Sequence, residues 1–295
     1  MNFMPRILLI ILGVVLLFLS CDSESEKQAH EYKSYIVVNG DTLHVTRYDN
    51  SVLSTVAYVD GEALSAQGCA IKDNFLYRFY DRGYCKVFQI HDDYNLSYVK
   101  EFKLGSYRAG NHMNGVQFYP DSDILYSSEF YERSCNVEKI NLHEGRVDYI
   151  QKIHISETEF LENCKLNIIC GDDGFLWAFG SPGDEYGKMV FVKFRLPELT
   201  IKDVLLDEKD VIDHWSVIDD FCMQGGKVKG NYLYFLSGSA SYKKRLMVFD
   251  TNSHLLYRDI SLDDVILEEP EDCDVVNNHL IITVYGGSAY YVLDL

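Results

Sequence analysis

Six side chains carry the chemistry this sequence offers: Gln67, Asn114, Asn167, Gln224 and Glu271, with His112 two residues ahead of Asn114. The first five are amides or a carboxylate, and each opens the same kind of segment. Gln67 to Tyr77 reads QGCAIKDNFLY and Gln224 to Tyr234 reads QGGKVKGNYLY, while Asn167 to Trp177 reads NIICGDDGFLW and Glu271 to Ile281 reads EDCDVVNNHLI. Asn114 to Tyr126, NGVQFYPDSDILY, is the same unit with two more residues in its turn. Gathered on one ring, these anchors would present several carbonyl oxygens and one carboxylate, a set that hard cations such as calcium take. Glu271, Asn114 and Asn167 are the metal-ligand candidates on that ground. Amides beside a channel also bond the backbone of a neighbouring element and lock it in place, and that structural role has the better claim. His112 is expected on the same side as Asn114, from the two-residue period of a strand. No Gly-x-Ser-x-Gly, His-Glu-x-x-His, phosphate-cradling glycine loop or EF-hand spacing occurs, so no catalytic residue is assigned.

The elements that must position these residues follow from their spacing. The anchors lie 47, 53, 57 and 47 residues apart. A period near fifty, with two strands and a polar turn in each copy, is how a β-propeller blade shows itself in sequence. The expected fold is therefore all-β, a single propeller of four-stranded blades whose inner strands line a channel. Tyr35 to Asp60 matches the second half of the repeat, and the chain stops at Tyr290 to Leu295, soon after the inner strands of another copy. Joining the two terminal segments closes the ring and protects its edges. Five anchors plus the opening copy give six blades, with five as the rival count. Pro197 to Asp220, rich in acidic residues, is an insertion, either a solvated excursion or a loop meeting a ligand on one face.

Composition narrows the partners. The chain has 27 basic and 45 acidic residues, a formal charge of -18. Such a surface repels phosphate backbones, so nucleic acid is not an expected partner. Twenty-two Tyr and sixteen Phe against five Pro suit wide sheets with aromatic cross-strand pairs. Of eight cysteines, Cys69 and Cys273 share one repeat position, and Cys85 and Cys135 share another. Reuse of this kind marks small buried hydrophobes. Cys164 with Cys170 is the single bridge candidate, and no close Cys or His pairs suggest zinc.

The N-terminus reads as a targeting segment. Arg6 precedes the apolar run Ile7 to Leu19, too short to span a bilayer comfortably. Phe18-Leu19-Ser20-Cys21 resembles a bacterial lipoprotein processing site with Cys21 acylated; an ordinary signal peptide or an uncleaved anchor are the alternatives. This divides the chain into a signal over 1–20, an acidic tether over 21–33 and the propeller over 34–295. Cys21 together with the repeated anchors and their Leu-Tyr-type strands resembles the exported, six-bladed, TolB-like β-propeller lipoproteins of Bacteroides-type bacteria. The resemblance implies an outer-membrane lipoprotein at the cell surface, or on the periplasmic face, and brings no catalytic residue with it. The expected function is a non-catalytic binding or scaffold module meeting a glycan, peptide or partner protein. The alternative is a calcium-dependent hydrolase similar to propeller lactonases, which hold calcium with a Glu, Asn residues and an Asp. Glu271, Asn114 and Asn167 suit the first part of that set, but no anchor is an Asp, although Asp272 and Asp274 are near.

Overall fold

A computed structural model of the chain describes residues 30–38, 40–50, 53, 54, 56–182, 187–285 and 288–295. The signal, Cys21 and most of the acidic tether lie outside the described residues. Among those described, 23 strands form five sheets. The first blade runs outward from Glu62–Lys72 through Phe75–Tyr80 and Tyr84–Ile90 to Leu96–Lys103, with Val56–Val59 added along the first half of its inner strand. The second is Val116–Phe118, Ile124–Glu129, Ser134–Asn141 and Arg146–Ile155. The third is Cys164–Cys170, Phe175–Pro182, Lys188–Arg195 and Val211–Ile218, and the fourth Met223–Lys229, Tyr232–Ser237, Arg245–Asp250 and Leu256–Ser261. The fifth begins with Glu269–Val276, His279–Tyr285 and Ala289–Asp294 and is completed by Asp41–Asp49 and His30–Val38 from the other end of the chain.

The molecule is thus a five-bladed β-propeller, the lower of the two counts. The opening copy does not found a sixth blade. The structure splits it: Asp41–Asp49, with His30–Val38 outside it, finishes the blade that Glu271 starts, with Val45 opposite Leu293 and Asp49 opposite Ala289, whereas Val56–Val59 pairs with the first blade. The first strand also begins at His30, inside the segment expected to be tether.

Hydrophobic packing gives the same count of five. Leu76 and Phe88 of the first blade meet Tyr290 and Ile281 of the fifth. Phe79 and Val87 meet Val116 and Leu125 of the second blade. Val137 and Ile153 meet Leu166 and Val190 of the third. Trp177 and Phe191 meet Phe235 and Phe249 of the fourth, and Leu246 and Ile260 meet Ile282 and Tyr291 of the fifth. One core therefore fills each junction, and burying each Phe or Leu there is worth about 1.5–3 kcal/mol.

The stretch from Pro197 to Asp220 is exposed over most of its length, as expected of a solvated excursion, but it forms two strands rather than a loop. Asp203–Leu206 leaves the third blade to pair in parallel with Arg146–Ile155 of the second, and Val211–Ile218 returns as the outer strand of the third. Trp215 on that strand is buried, stacked on Phe191 with ring centroids 5.0 Å apart and on His254 at 4.5 Å. The candidate bridge also fails, since Cys164 and Cys170 are both free. They stand at the two ends of one strand, where a rise of about 3.3 Å per residue separates them far beyond disulfide reach.

Candidate functional site

Each blade contributes one anchor to the axis. Gln67, Asn167, Gln224 and Glu271 stand on the inner strands of the first, third, fourth and fifth blades. Asn114 stands two residues before the inner strand of the second. All five are buried. In three blades the anchor sits at a break in strand register: between Ala66 and Cys69, between Met223 and Gly226, and between Pro270 and Asp272. A bulge of this kind re-aims a side chain at the expense of a ladder bond.

The Gln-Gly pairs have a second cause. A side chain on Gly225 would come 2.1 Å from Asp272 Oδ1, and one on Gly68 would come 2.4 Å from the Met113 carbonyl oxygen. The missing Cβ atoms let Asp272 of the fifth blade enter the axis between its neighbours. Its carboxylate accepts from the backbone N–H of Cys69 at 2.9 Å and of Cys273 at 2.8 Å. Asp274 does the same two residues on, accepting from Ile71 N at 2.6 Å and from Lys227 Nζ at 2.6 Å. An innermost strand is a sheet edge with unpaired backbone groups, and these aspartates satisfy part of that edge across the junction. Sequence reasoning noted both only as neighbours of an anchor. The signal that marks them is the glycine after Gln67 and Gln224.

The anchors then divide by what they touch. Asn167 Nδ2 donates to the Gln224 carbonyl oxygen at 3.0 Å, fastening the third blade to the fourth. Gln224 Nε2 donates to the Gly238 carbonyl oxygen and to Glu269 Oε1, both at 2.8 Å. Gln67, Asn114 and Glu271 make no side-chain hydrogen bond among the described residues, and Asn114 Oδ1 is a fully buried acceptor without a partner. These three, with Ser65, His112, Phe130, Gln224, Glu269 and Tyr285, line a cavity of about 330 Å³ at one mouth of the channel. His112 reaches it without strand parity, because it and Asn114 both precede the strand. Its Nδ1 lies 3.0 Å from Asp81 Oδ1, and its ring rests against Phe130. At the opposite mouth, Gln117, Lys72, Asp172, Lys227, Lys229 and Asp274 border a wider hollow of about 610 Å³.

Electrostatics distinguish the first mouth. Burial, and then the neighbouring Glu269, push the Glu271 carboxyl well above the usual carboxylate range, while Arg78 offsets part of that. Arg78 is itself buried and donates from Nη2 to the Val284 carbonyl oxygen at 2.6 Å. The fit to calcium is poor. Calcium takes six to eight oxygens, whereas Glu271, Asn114 Oδ1 and Asn167 Oδ1 offer one carboxylate and two amide oxygens. Among the described residues no group of three or more His, Cys, Asp or Glu side chains gathers to hold a metal.

No protein-family model and no curated protein matches the chain. Among solved structures it is similar to a putative 6-phosphogluconolactonase from Bacteroides uniformis ATCC 8492, at 11% identity and a TM-score of 0.41, covering 82% of this chain and 74% of that one. It is also similar to the β-propeller domain of Myceliophteria thermophila Cps50 (Swd1), at 9% identity and a TM-score of 0.42, covering 90% and 100%. A luciferin-regenerating enzyme matches at 9% identity and a TM-score of 0.43, covering 85% and 95%. Identities this low carry no activity across.

Proposed function

We propose that this chain is a non-catalytic binding propeller, held at the outer membrane through lipid on Cys21. Its small polar ligand, a glycan end or part of a peptide or partner protein, is met at the mouth formed by Gln67, Asn114, Gln224 and Glu271. The observation that carries the reading is the buried, unpartnered Asn114 Oδ1 beside Gln67 and Glu271, whose side chains bond nothing among the described residues, all lining one cavity. A buried acceptor left unpaired costs about 1–3 kcal/mol, and a ligand that pairs it recovers this as affinity. A cavity of about 330 Å³ is in the range that holds a small molecule.

The test is a thermal-shift and calorimetric screen of mono- and oligosaccharides and short peptides against the wild type and Ser65→Trp, which fills the mouth. Hits lost in Ser65→Trp support the reading. Hits that bind both proteins equally place the ligand elsewhere and overturn it. The anchoring part is decided separately by the intact mass of membrane-extracted protein, where a Cys21 without lipid rejects it.

A further inference from the structure

We infer that the group recognised at this mouth is a protonated amine, so that the ligand class is a small organic ammonium ion; this rests on the binding reading above. Charge is the first ground. Two carboxylates, Glu269 and Glu271, face one cavity. Glu269 accepts one hydrogen bond, from the neutral amide of Gln224. Glu271, 6% exposed, accepts none among the described residues. The charged groups about Glu271 are Glu269 and Asp272 from its own strand and Arg78 and Asp81 from the first blade. With Glu271 itself, four acidic side chains stand there against Arg78 and the His112 imidazole that lines the same mouth, so a cation entering the mouth is favoured over a neutral molecule.

Hydrogen-bond sense is the second ground. The buried orphan at the mouth, Asn114 Oδ1, is an acceptor. An ammonium group brings three donors and no acceptor, and Glu271, Glu269 and Asn114 Oδ1 present acceptors to it. The third ground is shape. A bare metal ion leaves most of a cavity of about 330 Å³ unfilled, whereas the carbon skeleton of an amine occupies it. Phe130 and Tyr285 line the same space, and aromatic faces attract cations within about 6 Å.

Proton balance follows. In the empty site burial makes the Glu271 carboxyl hold its proton to higher pH than an ordinary carboxylate. As the ammonium enters, the Glu271 carboxyl gives its proton to the buffer and becomes the carboxylate that pairs with the ligand.

The experiment is isothermal calorimetry with glucosamine and n-butylammonium, with glucose as the neutral match for the first, on the wild type, Glu269→Gln and Glu271→Gln. Both ammonium probes are expected to bind, glucose at least about tenfold more weakly, and each variant to lose at least about tenfold in glucosamine affinity. The wild-type heat should differ between phosphate and Tris buffers, reporting the released proton, and that difference should vanish in Glu271→Gln. Glucose binding as tightly as glucosamine overturns the ammonium inference and leaves the binding reading standing. Glucosamine binding unchanged in both variants, or no heat from either ammonium probe at high millimolar concentration, also overturns it. The Ser65→Trp screen decides the binding reading independently. Melting temperatures of the two Gln variants confirm that they are folded.

Discussion

The side-chain amide of Asn167 donates to the backbone carbonyl of Gln224 at 3.0 Å, so two anchors that look alike in sequence do unlike work. Asn167→Ala leaves a buried carbonyl without its partner and should cost about 1–3 kcal/mol. Gln67→Ala removes an amide that bonds nothing and should cost less than about 1 kcal/mol. Urea midpoints of the two variants separate them, and equal losses contradict the division of roles.

Closure of the ring rests on the first strands pairing with the last. Removing residues 1–49 bares the Ala289–Asp294 edge and breaks the stack of Tyr48 on Tyr290, whose centroids lie 5.1 Å apart. The truncated chain should associate through that edge or lose its single cooperative melt. Size-exclusion chromatography with calorimetry checks this, and a monomer melting at the full-length temperature contradicts it.

Acid should unfasten the second blade. Burial pushes Glu129 upward, but Lys152 Nζ at 2.7 Å and the Ser134 hydroxyl at 2.5 Å outweigh it and pull the carboxyl down to about 2. A folded-state value below the ordinary 4.5 contributes stability that is whole above that value and is lost as pH falls toward the lower one. The contribution at neutral pH is on the order of 3 kcal/mol. Glu129→Gln should be less stable at neutral pH and show a flatter acid limb, read from urea unfolding between neutral pH and strong acid.

Glu271 has the opposite sign. Its folded-state value is raised by burial, so its contribution to stability is whole below the ordinary carboxylate range and is lost as pH rises through the raised value. Glu271→Gln should therefore raise the melting temperature at alkaline pH. Calcium should leave the melting temperature of the wild type unmoved. A site saturated at about a hundred times its dissociation constant would add roughly 2.7 kcal/mol, and a shift of that size would restore the lactonase-like reading.

All seven described cysteines are thiols, and six are buried, Cys222 being the partly exposed one. Burial raises Cys170 and Cys222, and Cys69, Cys85, Cys135 and Cys273 stand well above the ordinary value. Native protein should react with iodoacetamide first at Cys222, and the rest only on unfolding. A disulfide between Cys164 and Cys170 in the mass spectrum would contradict the strand they share.

The repeat made the propeller and its ring of anchors legible, because a repeated antiparallel two-strand unit with a period near fifty matches the size of a propeller blade. The blade number was less legible, since His30–Val38 and Asp41–Asp49 carry the outer half of a repeat without showing which blade receives it. Asp203–Leu206 was hidden for a similar reason. Its partner strand, Arg146–Ile155, lies about fifty residues away and in parallel, a pairing no local pattern announces. Within the site, residue type placed Asn167 and Glu271 in one class. Only the neighbours reveal that one faces a carbonyl and the other a cavity. Asp272 went unassigned because its task depends on the space left by Gly68 and Gly225 on two other blades.

The pairing of Asp41–Asp49 with Ala289–Asp294 also sets a schedule. A chain made from its N-terminus produces the hairpin of the fifth blade before the other blades and must hold it unpartnered until Ala289–Asp294 has been synthesised. The four intervening blades can collapse in order, each against the one before, while that hairpin waits with Leu43, Val45 and Tyr48, all buried in the closed ring, still uncovered. Such long-range closure is slow, because the entropy of joining two segments so far apart in sequence is lost before any contact returns it. The unclosed ring is the species most exposed to association with its own kind.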